Sequence, residues 1–122
     1  MQLKQTPRDA LLKPLQAVSG IVERRHTLPI LANVLLEHKD GGLFVTATDL
    51  EMQITAHAEL AGKEGEAVTV GARKLQDLLR ALPDDSMLNV EASANKMIVR
   101  AGRSRFNLQT LPAADYPRIG LV

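Results

Sequence analysis

The sequence predicts an α+β domain built from two similar halves, each made of a strand, a helix and three further strands. Amphipathic helical patterns begin near residues 7 and 72, and each is followed by three short segments of strand character. The two helical patterns also match at a fixed offset of 64 residues, which pairs Leu11 with Leu75, Leu15 with Leu79, Ala17 with Ala81 and Val18 with Leu82. This order predicts a duplicated β-α-β-β-β unit, with two helices packed on one face of antiparallel sheets.

The first helix is predicted from its capping residues and its apolar stripe. Thr6 has the chemistry of an N-cap, and Pro7 suits the first helical position. Pro14 lies inside the stripe and predicts a kink or a short helix, because an interior proline removes a backbone hydrogen bond. Gly20 then predicts the end of the helix. The stripe follows helical spacing and consists of Leu11, Leu15, Val18 and Val22.

The segment from residue 30 to residue 60 changes from helical to strand-like periodicity. Asp40, Gly41 and Gly42 predict a hairpin turn, and another strand follows the hairpin. Residues 60–66 have the composition of a polar loop, and residues 67–72 that of a short strand.

The second helix is predicted to begin near Ala72 and to end before Pro83, with its leucines on one face. Three strands are predicted after it, over residues 87–93, 96–102 and 105–111. We expect residues 112–122 to form an extended linker. The leucines of the second helix are Leu75, Leu78, Leu79 and Leu82.

Composition restricts the class of protein. A chain of 122 residues has room for one domain with a modest core, and three aromatic residues require that core to be aliphatic. The absence of cysteine excludes disulfides, thiolate zinc sites and thiol nucleophiles. No apolar run approaches the ~20 residues of a membrane span, and the N-terminal residues lack the apolar segment of a signal peptide. We therefore expect a cytoplasmic protein without membrane contact.

Residues 96–105 concentrate positive charge in a chain whose net charge is only +1. Phe106 and Leu108 follow directly, and strand alternation places them opposite Arg105 and Asn107. An edge strand uses both of its faces only where another element covers it. The basic residues are Lys96, Arg100, Arg103 and Arg105.

No enzyme signature is present. Asp49 and Glu51 would share one side of a strand, but a solvated strand face, or a turn supported by Asp49, is the favoured interpretation. His26, His38 and His57 lack metal-site spacing, and no glycine-rich phosphate loop occurs. We expect no catalytic residue, metal or cofactor.

Basic residues on and beside the helices suit contact with nucleic-acid phosphates, which requires positive charge but no base-reading motif. The scarcity of aromatic residues disfavours a platform that stacks single-stranded bases. Duplex DNA, bound through its backbone, is therefore the expected nucleic-acid ligand. The candidate residues are Lys13, Arg24, Arg25, Arg73 and Arg80.

Five ordered motifs resemble the first domain of the bacterial sliding clamp, the beta subunit of DNA polymerase III. They are LLKPLQAVSG, RRHTLPILANVLLE, TATDLEMQ, ARKLQDLLRALP and GRSRFNLQTLPAADYP, and together they extend over essentially the whole chain. The resemblance implies the DNA-clamp fold and a non-catalytic processivity factor, one domain of a ring that encircles duplex DNA without sequence specificity and tethers the replicative polymerase.

In this family a protomer has three domains of similar fold, and two protomers close head to tail as a homodimer whose helices line the hole. By resemblance, residues 1–122 are the first domain and residues 112–122 begin the linker to a second. The polymerase III core and the clamp loader would bind mainly through the later domains.

The resemblance also implies roles for individual residues. Arg25 matches a DNA-contacting arginine, but the neighbouring Arg24 leaves that role split between the two. The channel would include Lys13, Arg73 and Arg80. Ring closure would pair Lys74, Arg103 and Arg105 with acids of the other protomer, place Phe106 and Leu108 in its apolar patch, and add Lys96 and Arg100 to the charged edge.

Two other functions remain open from the residues alone. The basic edge strand could dock an acidic protein by strand addition, with no role in DNA binding. A small hydrolase using Asp49 and Glu51 is the remaining alternative. Phe106 could also belong to the core of its own domain.

Overall fold

The computed structural model describes residues 1–22, 29–62 and 64–117 and shows the predicted element order twice. The first unit contains β1 (Gln2–Pro7), α1 (Arg8–Val22), a 3-10 helix (Pro29–Ala32), β2 (Asn33–Lys39), β3 (Gly42–Thr48) and β4 (Gln53–Glu59). The second contains β5 (Val68–Gly71), α2 (Ala72–Ala81), β6 (Met87–Ala92), β7 (Lys96–Ala101), β8 (Ser104–Pro112) and a second 3-10 helix (Ala113–Asp115). The α+β prediction and the strands after each helix are confirmed.

The eight strands form one sheet in the order β1-β6-β7-β8-β5-β2-β3-β4, and the two units exchange their first strands. β1 pairs antiparallel with β6 of the second unit, while β5 pairs antiparallel with β2 of the first. A short ladder between β5 and β8, Val68–Val70 against Thr110–Pro112, joins the two halves of the sheet. Neither unit completes its sheet without the other.

Both helices bury their leucines in one aliphatic core. Leu11, Leu15 and Val18 of α1 are fully buried, as are Leu75 and Leu79 of α2. Fully burying one such side chain contributes roughly 1.5–3 kcal/mol. The strands complete the core with residues that include Val34, Leu36, Leu43, Val45, Leu88, Val90, Met97 and Val99.

The hairpin between β2 and β3 has the predicted turn. Asp40 and Gly41 both have positive φ, 52° and 72°, which is the backbone of a two-residue turn whose twist matches the flanking strands. Lys39 and Gly42 form the last pair of the β2–β3 ladder before the turn. Asp40 tolerates this conformation better than most side chains.

The predicted boundaries of the first helix are wrong at both ends. Thr6 is not an N-cap, since it pairs with Leu88 in the β1–β6 ladder and its hydroxyl donates to the Lys4 carbonyl. The ladder extends through Pro7, so the helix begins at Arg8. α1 also continues through Pro14 and Gly20 as 15 residues, because burial of its apolar face offsets the unfavourable propensities.

Arg8 ties the start of α1 to the end of α2. Its guanidinium donates to the carbonyl oxygens of Leu82 (2.9 Å) and Leu79 (3.3 Å). These carbonyls lie at the C-terminal end of α2, where carbonyl oxygens lack hydrogen-bond donors within the helix. The guanidinium also pairs with Asp9 and Asp84 at 3.0 and 3.1 Å. This largely buried cation thereby stabilises the negative end of the α2 dipole.

The segment after β8 packs onto the first unit. Tyr116 is 4% exposed, and its hydroxyl lies where β2 and β3 diverge. The hydroxyl accepts a hydrogen bond from the Thr48 amide at 3.1 Å and faces the carbonyls of Asn33 and Thr46, each at 3.4 Å. The described part of the predicted linker is therefore packed instead of extended. Residues 118–122 lie outside the described residues.

Replacing Tyr116 with phenylalanine should lower the free energy of unfolding by about 1–2 kcal/mol, because the Thr48 amide loses its partner. Burial raises the pKa of the Tyr116 hydroxyl above its ordinary value of 10.0. The neutral hydroxyl therefore stabilises the fold fully below about pH 10, and that contribution is lost as the pH rises through the folded-state pKa.

Urea unfolding of the wild type and Tyr116→Phe at about pH 8 and about pH 11 measures this effect. The difference in stability between the two proteins should shrink at the higher pH. The chain has one tyrosine, so no other phenol contributes to the difference. An equal difference at both pH values would contradict the assignment.

Candidate functional site

Only some of the basic residues predicted for the helix surface lie along the same groove. Arg73 and Arg80 are exposed on α2 and lie on the side that meets α1. Lys13 is exposed on α1 but does not line the same surface. Within the described residues neither Arg73 nor Arg80 has an ion-pair partner. Arg24 and Arg25 lie outside the described residues.

A groove between α1 and α2, here called the interhelix groove, separates these helices at the surface. It encloses a cavity of about 580 Å³. α2 contributes two arginines and Gln76, and α1 contributes Ser19. The full lining is Ser19, Val22, Ala32, Ala72, Arg73, Gln76, Asp77 and Arg80.

β8 has one unpaired edge, here called the β8 seam and running from Ser104 to Gln109. β7 pairs with β8 from Ser104 to Gln109, but on the opposite side β5 pairs only with Thr110–Pro112. No other strand of the described chain covers that side of the seam. A row of backbone donors and acceptors is thus left for a partner.

Side chains alternate along the β8 seam as the sequence predicts. Phe106 and Leu108 are half-buried and pack against the core of their own domain, whereas Arg105 and Asn107 are exposed on the opposite face. The two apolar side chains therefore serve the domain's own core in part and still offer surface to a partner. The observed burial accommodates both interpretations of Phe106.

The other predicted interface residues lie around this seam. Lys74 and Leu108 line one cavity of about 600 Å³ between the start of α2 and β8. Arg103 is exposed in the turn that precedes β8. Arg100 and Lys96 lie opposite Arg105 and Gln109 on the outer face of the sheet, and Arg100 pairs with Glu91 at 3.7 Å.

The carboxylate pair is part of a turn. Asp49 follows β3, and its Oδ1 accepts hydrogen bonds from the amides of Glu51 (2.9 Å) and Met52 (2.8 Å). Leu50 between them has φ +80°, a conformation that this turn stabilises. The two carboxylates do not share a strand face, and the interpretation of Asp49 as a turn residue is confirmed.

The described histidines have structural surroundings. His38 is buried, with Nε2 2.9 Å from the Leu60 carbonyl oxygen, and His57 stacks on the Phe44 ring at 5.3 Å. His26 lies outside the described residues. Across the part of the chain that the structure describes, no three His, Cys, Asp or Glu side chains cluster as metal ligands. In the same part no helix has the length and apolarity to cross a membrane.

Comparison with known proteins identifies the class. The fold matches a sliding clamp (DNA polymerase III subunit beta) from Pseudomonas aeruginosa with a TM-score of 0.89 and 46% identity, covering 100% of this chain and 33% of that one. A sliding clamp from Bartonella birtlesii gives a TM-score of 0.91 at 34% identity over 100% of this chain and 32% of that one. Two helices on an eight-stranded sheet of this topology define a sliding-clamp domain.

The chain belongs to the family described as DNA polymerase III beta subunit, N-terminal domain, whose sequence model matches residues 2–120. It is 49% identical over 114 residues to the beta sliding clamp of Pseudomonas putida and 51% identical over 113 residues to that of Escherichia coli. These alignments cover 92% of this chain and 31% of each relative. The chain thus spans about a third of the length of these relatives.

Sequence reasoning did not single out Gln76. It is 9% exposed although it is polar, and it follows Leu75 on the side of α2 that turns toward α1. The place of Gln76 on the packed face could have been predicted from its spacing, because positions 72, 75, 76 and 79 form one helical face that is otherwise apolar. A polar residue at such a position is more informative than an exposed apolar one.

Changing Asp49 to alanine should lower the free energy of unfolding by about 1–2 kcal/mol, because two backbone amides lose their acceptor. Glu51→Ala is the matched control and should change it by less than about 0.5 kcal/mol, since Glu51 is exposed. Urea unfolding of both variants measures the difference. Equal effects of the two substitutions would contradict the role of Asp49 in the turn.

Proposed function

We propose that this chain is one domain of a non-catalytic, ring-shaped clamp that encircles duplex DNA and keeps the replicative polymerase on its template. The observation that carries the proposal is the family match over residues 2–120 together with the fold. A clamp raises the effective concentration of polymerase at the template without binding tightly to it. Its action accordingly requires no catalytic residue.

Exposed basic residues on the helices support contact with DNA. Lys13, Arg73 and Arg80 would face the phosphates, and Arg24 and Arg25, which follow α1 in the sequence, would add to them. Contacts of this kind give affinity that falls with salt and is independent of base sequence. Both properties suit a ring that slides.

The β8 seam supports assembly with a second protomer into a head-to-tail homodimer. Its free backbone edge can extend a sheet across the interface, and Phe106 and Leu108 offer half-buried apolar surface beside it. Positive charge around the seam would select an acidic partner surface. The charged residues are Lys74, Lys96, Arg100, Arg103 and Arg105.

The remaining partners follow from the same proposal. Residues 112–122 would lead into a second domain, and the polymerase III core and clamp loader would bind mainly to domains beyond this one. The site of action would be the cytoplasm, on replicating DNA. No cofactor takes part.

A chimaeric clamp tests the proposal. This chain replaces the matching domain of the Pseudomonas aeruginosa clamp, of which it covers 33%. The chimaera should stay on nicked circular DNA after loading, leave linearised DNA by sliding off its ends, and support long products from polymerase III. Retention on circles and linear molecules to the same degree would contradict encirclement.

Charge reversal separates DNA contact from ring assembly. Arg24→Glu with Arg25→Glu should reduce loading on circles, because two phosphate contacts become repulsive. Lys4→Glu with Lys39→Glu is the matched control, since these exposed lysines lie on β1 and β2 and not on the helices. Equal loading of both double variants would remove Arg24 and Arg25 from the DNA surface.

A further inference from the structure

We infer that a cavity beside β1, here called the β1 cavity, binds a divalent transition-metal ion such as Zn²⁺ through the Nδ1 atom of His38 and the carboxylate of Glu64. The cavity has a volume of about 420 Å³ and lies between β1 and the segment that follows β4. It shares no lining residue with the interhelix groove or with the cavity at the β8 seam. The inference is therefore independent of the proposed function, which requires no metal.

His38 is the observation that points to a ligand. It is 3% exposed and lines the β1 cavity, and its Nδ1 has no hydrogen-bond partner among the described residues. Its Nε2 lies 2.9 Å from the Leu60 carbonyl oxygen, which can only accept, so Nε2 carries the hydrogen of the neutral ring. Nδ1 is then left with a lone pair. A buried acceptor without a donor is unfavourable, and a metal ion would engage that lone pair.

The hydrogen bonds around both groups are of the kind that orients metal ligands. A metal-ligating imidazole typically donates its other ring N–H to a backbone carbonyl, as His38 does to Leu60. A ligating carboxylate is held by a donor of its own, and the Glu64 Oε2 accepts from the Asp40 amide at 2.7 Å. The second oxygen of Glu64 has no partner among the described residues. Because Asp40 follows His38 by two positions, both candidate ligands are anchored at the end of β2.

Glycine brings the segment after β4 close to the imidazole. Gly62 has a φ of +137°, which favours glycine, and a Cβ added there would lie 3.1 Å from the Cε1 of His38. Cε1 is bonded to Nδ1, so the glycine backbone lies beside the atom that lacks a partner. A small displacement of this backbone, which has no side chain to reposition, would open Nδ1 to the cavity.

The donor set determines which ion the site would hold and how strongly. Imidazole nitrogen suits Zn²⁺, Cu²⁺ and Ni²⁺, whereas Mg²⁺ prefers oxygen ligands. Only two side chains supply donors, so water would complete the coordination. Two cations line the same cavity, the Lys4 ammonium and the Met1 amino group, which donates to the Ala92 carbonyl at 2.9 Å. Both oppose a bound cation, so binding should be weak and reversible.

Long-range ¹H–¹⁵N spectra of the imidazole rings test the site. Without metal, the His38 Nδ1 should give the signal of a nitrogen with a lone pair. During titration of the ¹⁵N-labelled chain with Zn²⁺ at about pH 7.5, where imidazole is ordinarily neutral, this signal should shift in a saturable way. His57, exposed on β4, is the internal control and should keep its signals at the same concentrations. Mg²⁺ should leave the His38 Nδ1 signal in place.

Substitutions test the second ligand. Glu64→Gln removes the carboxylate charge and keeps an oxygen that can accept from the Asp40 amide. It should weaken Zn²⁺ binding about tenfold or more, as changes at metal sites commonly do, and leave the metal-free melting temperature unchanged. Glu66→Gln is the matched control and should not alter binding, since Glu66 is exposed and does not line the cavity. Lys4→Gln should tighten binding, because one opposing cation is removed.

Each outcome decides the inference. A saturable shift of the His38 Nδ1 signal that Glu64→Gln weakens and Glu66→Gln does not supports the site. A shift of equal strength in both variants excludes Glu64 as a ligand and overturns it. A response to Zn²⁺ at His57 while Nδ1 stays unchanged shows adventitious surface binding only and also overturns it. No response at either histidine leaves the cavity to water, and a hydrogen on Nδ1 in the metal-free chain removes the lone pair; both results contradict the site.

Discussion

The exchange of first strands between the two units is the constraint on which the rest of the structure depends. β1 completes the half-sheet of the second unit and β5 completes that of the first, so each helix begins directly after a strand that belongs to the other half. The Arg8 guanidinium reinforces this arrangement, because it connects the first residue of α1 with the last carbonyls of α2. Both helices are thereby held on one core, and the interhelix groove lies between them at the surface.

The same topology determines where the sheet is left open. The ladder between β5 and β8 is three residues long, and the six residues of β8 before it have a neighbour on one side only. An edge of this kind is a liability for a protein that acts alone. We propose that a partner's strand extends the sheet at this edge in the assembled clamp. The helix surface and the sheet edge thus both follow from the exchange of first strands. We propose that the helix surface contacts DNA and that the sheet edge contacts a second subunit.

Local signals predicted much of the fold. The turn at Asp40 and Gly41, the leucine face of α2 and the alternation of β8 all follow from short-range rules, and the structure confirms them. Signals that depend on distant residues were misjudged. Pro14 and Gly20 indicated a short helix, but the core packing of α1 outweighs both, and Tyr116 looked like part of a linker because its partners on β2 and β3 are about 70 residues away. The extent to which Gln76 is buried could not be predicted from local signals, because it depends on how α1 packs against α2.

Hydrogen exchange along β8 tests the central claim, that the β8 seam is an unpaired edge reserved for a second protomer. In the isolated chain, the amides of residues 104–109 that point away from β7 should exchange quickly, while those bonded to β7 stay protected. In the assembled chimaeric ring the outward amides should become protected as well. Fast exchange of these amides in both states, or protection in both, would contradict the assignment of this edge to ring closure.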